Sequence, residues 1–275
     1  MEKKMFFLAG LPRSGNTVLA ALLNQHPEIY CSPQSPLLHG AWQLKKSLYE
    51  NEHTQRHQDY TIVNNAIKGL FTEAYKNIQK PYIIDREKVW GVPKNFQFIK
   101  DFLTPEPKII CTVRDIVSIL ASFITVVSEH PSFYVDLEML QADINPLFRL
   151  SRNDARCDWL MKPDGGIEHT LQNLYTALSY EGKFFHLVEY DDLINQPQET
   201  MNGIYTFLNI KSFDHDFNNI KKIESDYESP GTGFPPNLHK VRPKLAKESL
   251  PVEEVLSEYI IKKYSNMEFW RNNGK

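Results

Sequence analysis

Between residues 10 and 17 the chain reads Gly10-Leu11-Pro12-Arg13-Ser14-Gly15-Asn16-Thr17. A compact apolar run precedes it and a helical pattern follows it. The chemistry open to these residues is the holding of an anion. The glycines let the backbone turn tightly and approach a ligand closely. Backbone N–H groups at the start of the next helix, with the helix dipole behind them, then face negative charge. Arg13 adds a cation, Ser14 and Thr17 add hydroxyls, and Asn16 adds an amide donor.

Such a loop needs a strand before it and a helix after it. Met5–Ala9 is apolar throughout and reads as a buried strand, and Thr17–Asn24 reads as a helix stopped by His26-Pro27. Further strands are expected at Pro81–Asp85, Lys108–Val113 and Phe184–Glu189. Helices are expected at Gln58–Lys76, Asn95–Leu103, Phe133–Leu150, Gln198–Leu208 and Val252–Tyr264. Two more run from Asp115 toward Val127 and from Ile167 to Glu181, the second ending at Gly182. Cys31–Pro36, with two prolines and two serines, reads as a loop, as does Glu228–Pro236. Strands alternate with helices and hairpin signals are missing. The expected fold class is therefore α/β, a single P-loop domain over residues 1–275 with a central parallel sheet and helices on both faces. Ligands of such sheets sit beyond the carboxyl ends of the strands.

The composition sets outer bounds. The chain has 275 residues, 41% hydrophobic and 24% charged, which is ordinary for a globular protein with a sizeable core. A formal net charge of -3 gives no sign of a nucleic-acid binder. Cys31, Cys111 and Cys157 are widely spaced and form no metal or disulfide framework, which fits a reducing compartment. The apolar run Met5–Ala9 after MEKK is too short for a signal core or a membrane span. The expected location is cytoplasmic, with no membrane span.

The spacing of Gly10, Gly15 and Thr17 fits the nucleotide loop GxxxxGK[ST], but Asn16 stands where its lysine belongs and the cation has moved to Arg13. A small-molecule kinase or nucleotide hydrolase needs that lysine and a metal-holding aspartate after a later strand. Here the corresponding strand ends in Arg114, followed by Asp115. Arginine, hydroxyls and backbone donors suit a sulfuryl group, which carries less charge than a terminal phosphoryl group and needs no metal.

The run PRSGNTVLAALLNQHP resembles the 5′-phosphosulfate loop of the P-loop sulfotransferases. It is most similar to the branch of tyrosylprotein sulfotransferases and microbial relatives, which carry PRSGTT-L and then HP; Asn16 replaces the first threonine. A second motif of that family, a strand followed by Arg and by Ser eight residues on, matches Lys108–Val113, Arg114 and Ser122. Val188-Glu189-Tyr190-Asp191-Asp192-Leu193 with Pro197 resembles a third segment, and Leu238–Lys244 resembles the basic stretch that closes over the nucleotide. The resemblance implies 3′-phosphoadenosine 5′-phosphosulfate (PAPS) as co-substrate, adenosine 3′,5′-bisphosphate (PAP) as product, and no metal. It assigns the cofactor to Arg13, Ser14, Gly15, Asn16, Thr17, Arg114, Ser122, Tyr190, Lys240 and Arg242.

It further implies in-line sulfuryl transfer to a hydroxyl or amine acceptor. Arg13 would stabilise developing charge, and Lys94, beside Pro93, takes the place of a lysine in the family, with Lys88 as the other choice. Trp90 in the same segment can stack on an aromatic group or fill the core. The family's glutamate base falls on Gln34, which cannot take a proton. His39, Asp85 and Glu87 are the other base candidates, and the lack of a base at Gln34 keeps open a catalytically inactive nucleotide-binding protein. The acceptor faces Ser32–Trp42, Glu129–Asp136 and Ser151–Gly166, and its class and the oligomeric state are left open. The acidic balance disfavours a strongly anionic polysaccharide.

Overall fold

The computed structural model describes residues 3–57, 60–128, 134–141, 152–223, 241–246 and 250–271. In chain order the elements are β1 (Lys4–Gly10), α1 (Asn16–Leu23), β2 (Ile29–Gln34), α2 (Leu37–Tyr49), α3 (Glu52–His57), α4 (Thr61–Ala74) and β3 (Tyr82–Arg86). Then come α5 (Pro93–Phe102), β4 (Ile109–Val113), α6 (Ile116–Ser128), α7 (Tyr134–Gln141), α8 (Arg152–Leu160) and α9 (Glu168–Glu181). The chain continues through β5 (Phe185–Glu189), α10 (Tyr190–Asn195), α11 (Pro197–Leu208), α12 (Val252–Val255) and α13 (Glu258–Tyr264).

The strands form one sheet in the order β2-β3-β1-β4-β5, and every pairing is parallel. Side chains of β1 alternate between its faces, as the period of a strand requires. Phe7 and Ala9 join a core cluster with α2, α4, α5, α6, α8 and α9. Phe6 and Leu8 join the other cluster with α1 and α11. Both faces of the sheet are thus covered, and the carboxyl ends of β1, β3, β4 and β5 share one edge. Among the described residues no helix is long and apolar enough to cross a membrane.

Three local expectations need correction. Cys31–Pro36 is not a loop up to Gln34: Ile29–Gln34 is the edge strand β2. Its prolines hid it, yet an edge strand tolerates proline. The register slips between Cys31 and Gln34, and there the Ser32 hydroxyl accepts from the Arg86 N–H at 2.9 Å. The last helix is broken at Leu256-Ser257, because the Ser257 hydroxyl accepts from the Ile260 N–H and starts a new helix. Gly182 does end α9, but with a right-handed φ of -52° that leads into a 3-10 turn. The helices α2, α3, α8 and α10 lie outside every helix expected from the sequence. Of the helix expected over Phe133–Leu150, Tyr134–Gln141 is seen and 142–150 lie outside the described residues, as do Glu228–Pro236.

Asp85, wholly buried on β3, ties the β2 side of the sheet together. It accepts from the hydroxyls of Ser35 (2.8 Å) and Tyr75 (2.6 Å) and from the Trp90 indole (2.8 Å). Burial pushes its carboxyl up, while the three donors pull it down. Trp90 is a core residue, packed edge-on against Phe7 at 4.8 Å. Replacing Asp85 with Ala strands three buried donors, each costing about 1–3 kcal/mol. Urea unfolding of Asp85→Ala is expected to show a loss of about 3 kcal/mol or more; a loss below about 1 kcal/mol would contradict this role.

Candidate active site

The loop after β1 is forced against its neighbours. A Cβ on Gly10 would stand 2.0 Å from the Thr112 hydroxyl and 2.7 Å from its carbonyl on β4, so the two strands approach too closely for any side chain. Arg13 (φ 58°) and Gly15 (φ 88°) both adopt the left-handed region, which turns the chain back into α1. The Ser14 hydroxyl lies 2.6 Å from the Leu11 carbonyl and 2.6 Å from the Thr112 hydroxyl. The Asn16 amide donates to the Ala9 carbonyl at 2.9 Å. These two side chains face the sheet and brace the loop, and Thr17 stands half-buried on the first turn of α1. No side chain caps α1 at Gly15. Its first N–H groups can therefore face an anion.

Above the loop the two specific motifs meet. Arg13 Nε donates to the Ser122 hydroxyl on α6 at 3.0 Å. Arg114, just past β4, donates from Nη1 to the Arg13 carbonyl at 3.1 Å. The Arg114 guanidinium lies 4.2 Å from the centre of the Tyr190 ring, at the start of α10. The same ring closes against Gly15, where a Cβ would come within 2.9 Å of Tyr190 Cδ2. Arg13, Gly15, Arg114, Ser122 and Tyr190 thus form one constellation from four parts of the chain.

Arg114 is only 7% exposed. Burial pulls its pKa down, while Tyr190, Asp191 and Asp115 support its charge, and an arginine stays charged regardless. Of its five N–H donors, one is used among the described residues. No buried side-chain N or O there lacks a partner, so its other nitrogens reach solvent. A buried guanidinium over a ring, with most of its donors unused among the described residues, can take an anion in two hydrogen bonds.

Behind this cluster, Asp115 opens α6 as the sequence suggests, while Glu268, Arg271 and Arg86 are residues that no motif marked. Asp115 caps α6 by accepting from the Ser118 N–H at 2.7 Å, and Glu268 accepts from the Ile116 N–H at 3.0 Å. Burial, with Asp115 nearby, pushes the Glu268 carboxyl up. Arg271 grips Glu189 at the end of β5. The carboxy-terminal turn therefore pins the helix that carries Ser122. Arg86, 4% exposed, is another cation at the carboxyl edge, in register with Gln34. The contacts of Glu268, Arg271 and Arg86 carry no local motif, since each joins residues far apart in sequence, whereas Asp115 and Ser118 stand three apart.

The other predicted residues are scattered. Gln34 is exposed at the end of β2 and its amide lies 3.5 Å from Glu87 Oε2. Glu87 is half-buried just after β3, and burial pushes its carboxyl up. Lys94 is exposed on the first turn of α5 and makes no hydrogen bond or ion pair among the described residues. Lys88 is exposed, and its carbonyl accepts from the Gly10 N–H at 3.4 Å. His39 is exposed on α2. Arg242 is exposed on a segment held to the chain by the Ile220 N–H donating to the Pro243 carbonyl at 2.7 Å. Lys240 lies outside the described residues.

A strand-loop-helix anion site on a five-stranded parallel sheet defines a P-loop α/β protein. The sulfotransferase family profile matches residues 6–215, and the chain belongs to that family. It is 20% identical to protein-tyrosine sulfotransferase 1 of Danio rerio over 211 residues, covering 76% of this chain and 54% of the relative. The chain thus spans about half the length of that relative. Among solved structures it is similar to the sulfotransferase domain from the curacin biosynthetic pathway, with TM-score 0.54, 17% identity, and 96% and 97% of the two chains covered. It is also similar to a mouse sulfotransferase complexed with PAP, with TM-score 0.52, 14% identity, and 100% and 85% coverage. Both structures share the fold.

The Gly15–Tyr190 contact generates a test. Gly15→Ala puts a side chain into a left-handed turn and against the ring. Thermal unfolding is expected to fall by the equivalent of about 1–3 kcal/mol, and an unchanged midpoint would show that the ring does not press on the loop.

Proposed function

We propose that this chain transfers a sulfuryl group from PAPS to a hydroxyl or amine acceptor by in-line displacement. The observation that carries the reading is the buried Arg114 guanidinium, stacked on Tyr190, joined to the loop through Arg13, and with donors to spare. One anion site at the α1 N-terminus and a second at Arg114 suit a nucleotide with phosphates at both its 5′ and 3′ positions. Arg114 and Ser122 hold the 3′-phosphate, with the adenosine side against Tyr190. The amides of Ser14, Gly15, Asn16 and Thr17 hold the 5′-phosphosulfate.

Charge grows on the bridging oxygen and on the sulfuryl oxygens as the bond to sulfur breaks. Arg13, held in a fixed turn, and the α1 amides stabilise it without reorganising. Lys94 is assigned to the same charge from the acceptor side. Lys240 and Arg242 close over the nucleotide. Residues 1–275 act as one unit, because both core clusters share one sheet. Cys31, Cys111 and Cys157 are all buried and form no disulfide with one another, which supports a reducing, cytoplasmic setting. The named activity of the Danio rerio relative places tyrosine peptides first among acceptors to screen.

A kinase reading is disfavoured by Asn16, whose amide is spent on the Ala9 carbonyl where a nucleotide loop would send a lysine to phosphate. Calorimetry with PAP, without metal, beside ATP with magnesium, separates the two. Micromolar binding of PAP, weakened at least about tenfold in Arg114→Ala, is the expected result. Binding of ATP with magnesium and none of PAP would overturn the reading.

A further inference from the structure

Sulfuryl transfer to a hydroxyl needs a group to receive the acceptor's proton, and the end of β2 offers only Gln34, an amide. The other three base candidates read from the sequence can each bind a proton. His39 points into solvent from α2, with 41–49 of that helix running on past it. Asp85 is fully buried, with its two oxygens committed to Ser35, Tyr75 and Trp90. No acceptor reaches it without opening the core. Glu87 differs from both.

Glu87 directly follows β3, the strand between β2 and β1. Its N–H donates to the Leu8 carbonyl at 3.1 Å, and the carbonyl of the next residue, Lys88, accepts from the Gly10 N–H at 3.4 Å. The residue therefore lies alongside the last turn of chain before the anion loop. Its Oε2 is 3.5 Å from the Gln34 amide, so the carboxylate reaches the tip of β2 from the neighbouring strand.

We infer that Glu87 is the general base of the reaction, aimed by the Gln34 amide. The inference rests on the sulfotransferase reading above. In the step, a lone pair of the acceptor oxygen forms the new bond to sulfur. The bond from sulfur to the 5′-phosphate oxygen breaks, its electron pair leaves with PAP, and the acceptor's proton passes to Glu87. Partial burial is the largest influence on this carboxyl and pushes it up. Asp85 adds to that, while Lys88, the Val89 backbone and Gln34 oppose it. A base of raised pKa takes a proton more readily near neutral pH.

The test uses the whole chain, PAPS, and a series of phenols from the weakly acidic to para-nitrophenol, with PAP formation as readout and calorimetry of PAP alongside. Glu87→Gln is expected to bind PAP as the parent does. It should lose about 100-fold in PAP formation with the least acidic phenol and far less with para-nitrophenol, which sheds its proton unaided. Adding Gln34→Glu to Glu87→Gln puts a carboxylate back within reach of the same point and is expected to recover about tenfold. Equal losses across the phenols, no loss, or loss of PAP binding in Glu87→Gln overturns the assignment. So does a parent chain that binds PAP but forms none from PAPS with phenols or with water. A parent chain that fails to bind PAP instead removes the sulfotransferase reading itself.

Discussion

The site depends on one buried cation. Arg114 stands at the end of β4 and is only 7% exposed. Desolvation of such a group is costly unless its hydrogen bonds and charge are met. The chain meets them in part, through the Arg13 carbonyl, the face of Tyr190 and the acidic residues Asp115 and Asp191. The donors left over are the ones the proposed reading gives to an anion. The loop tip, α6 and α10 are all arranged around this group, so a single side chain links the strand edge to the three elements that would enclose a nucleotide.

The rest of the molecule holds that arrangement still. Gly10 lets β1 and β4 approach within the space of a methyl group, so loop and cation share one rigid base. Ser14 and Asn16 bond inward to Leu11, Thr112 and Ala9 rather than outward. The loop is therefore preorganised before any ligand arrives, which is the condition under which fixed dipoles stabilise developing charge most. On the other side, Asp85 joins β3 to Ser35, Tyr75 and Trp90, fixing the strand whose next residues carry Glu87. At the far end, Glu268 and Arg271 brace α6 and β5.

Much of this was legible in the order of residues, and for a physical reason. β1, the anion loop and α1 are contiguous, so their signal is local: an apolar run, two glycines and a helical period. The strand before Arg114, and Ser122 two turns into α6, are local in the same sense. β2 was not legible, because Pro33 and Pro36 mark a loop unless the strand is known to lie at a sheet edge. The Ser257 break in the last helix follows from a cap that competes with helix continuation. The contacts of Glu268, Arg271 and Arg86 belong to tertiary packing alone. The inward turn of Ser14 and Asn16 also escaped, since residue type gives the donors but not their direction. The choice among His39, Asp85 and Glu87 needed burial, which no spacing reveals.

In the proposed reading, the Arg13, Arg114, Ser122 and Tyr190 cluster and the α1 amides bind the two phosphate ends of one nucleotide. A crystal structure of the chain with PAP tests it most directly. The 3′-phosphate is expected on Arg114 and Ser122 and the 5′-phosphate on the backbone amides of residues 14–17, with Arg114 still lying on the Tyr190 ring. A nucleotide bound with its 3′-phosphate away from Arg114, or seated elsewhere on the sheet edge, would contradict it.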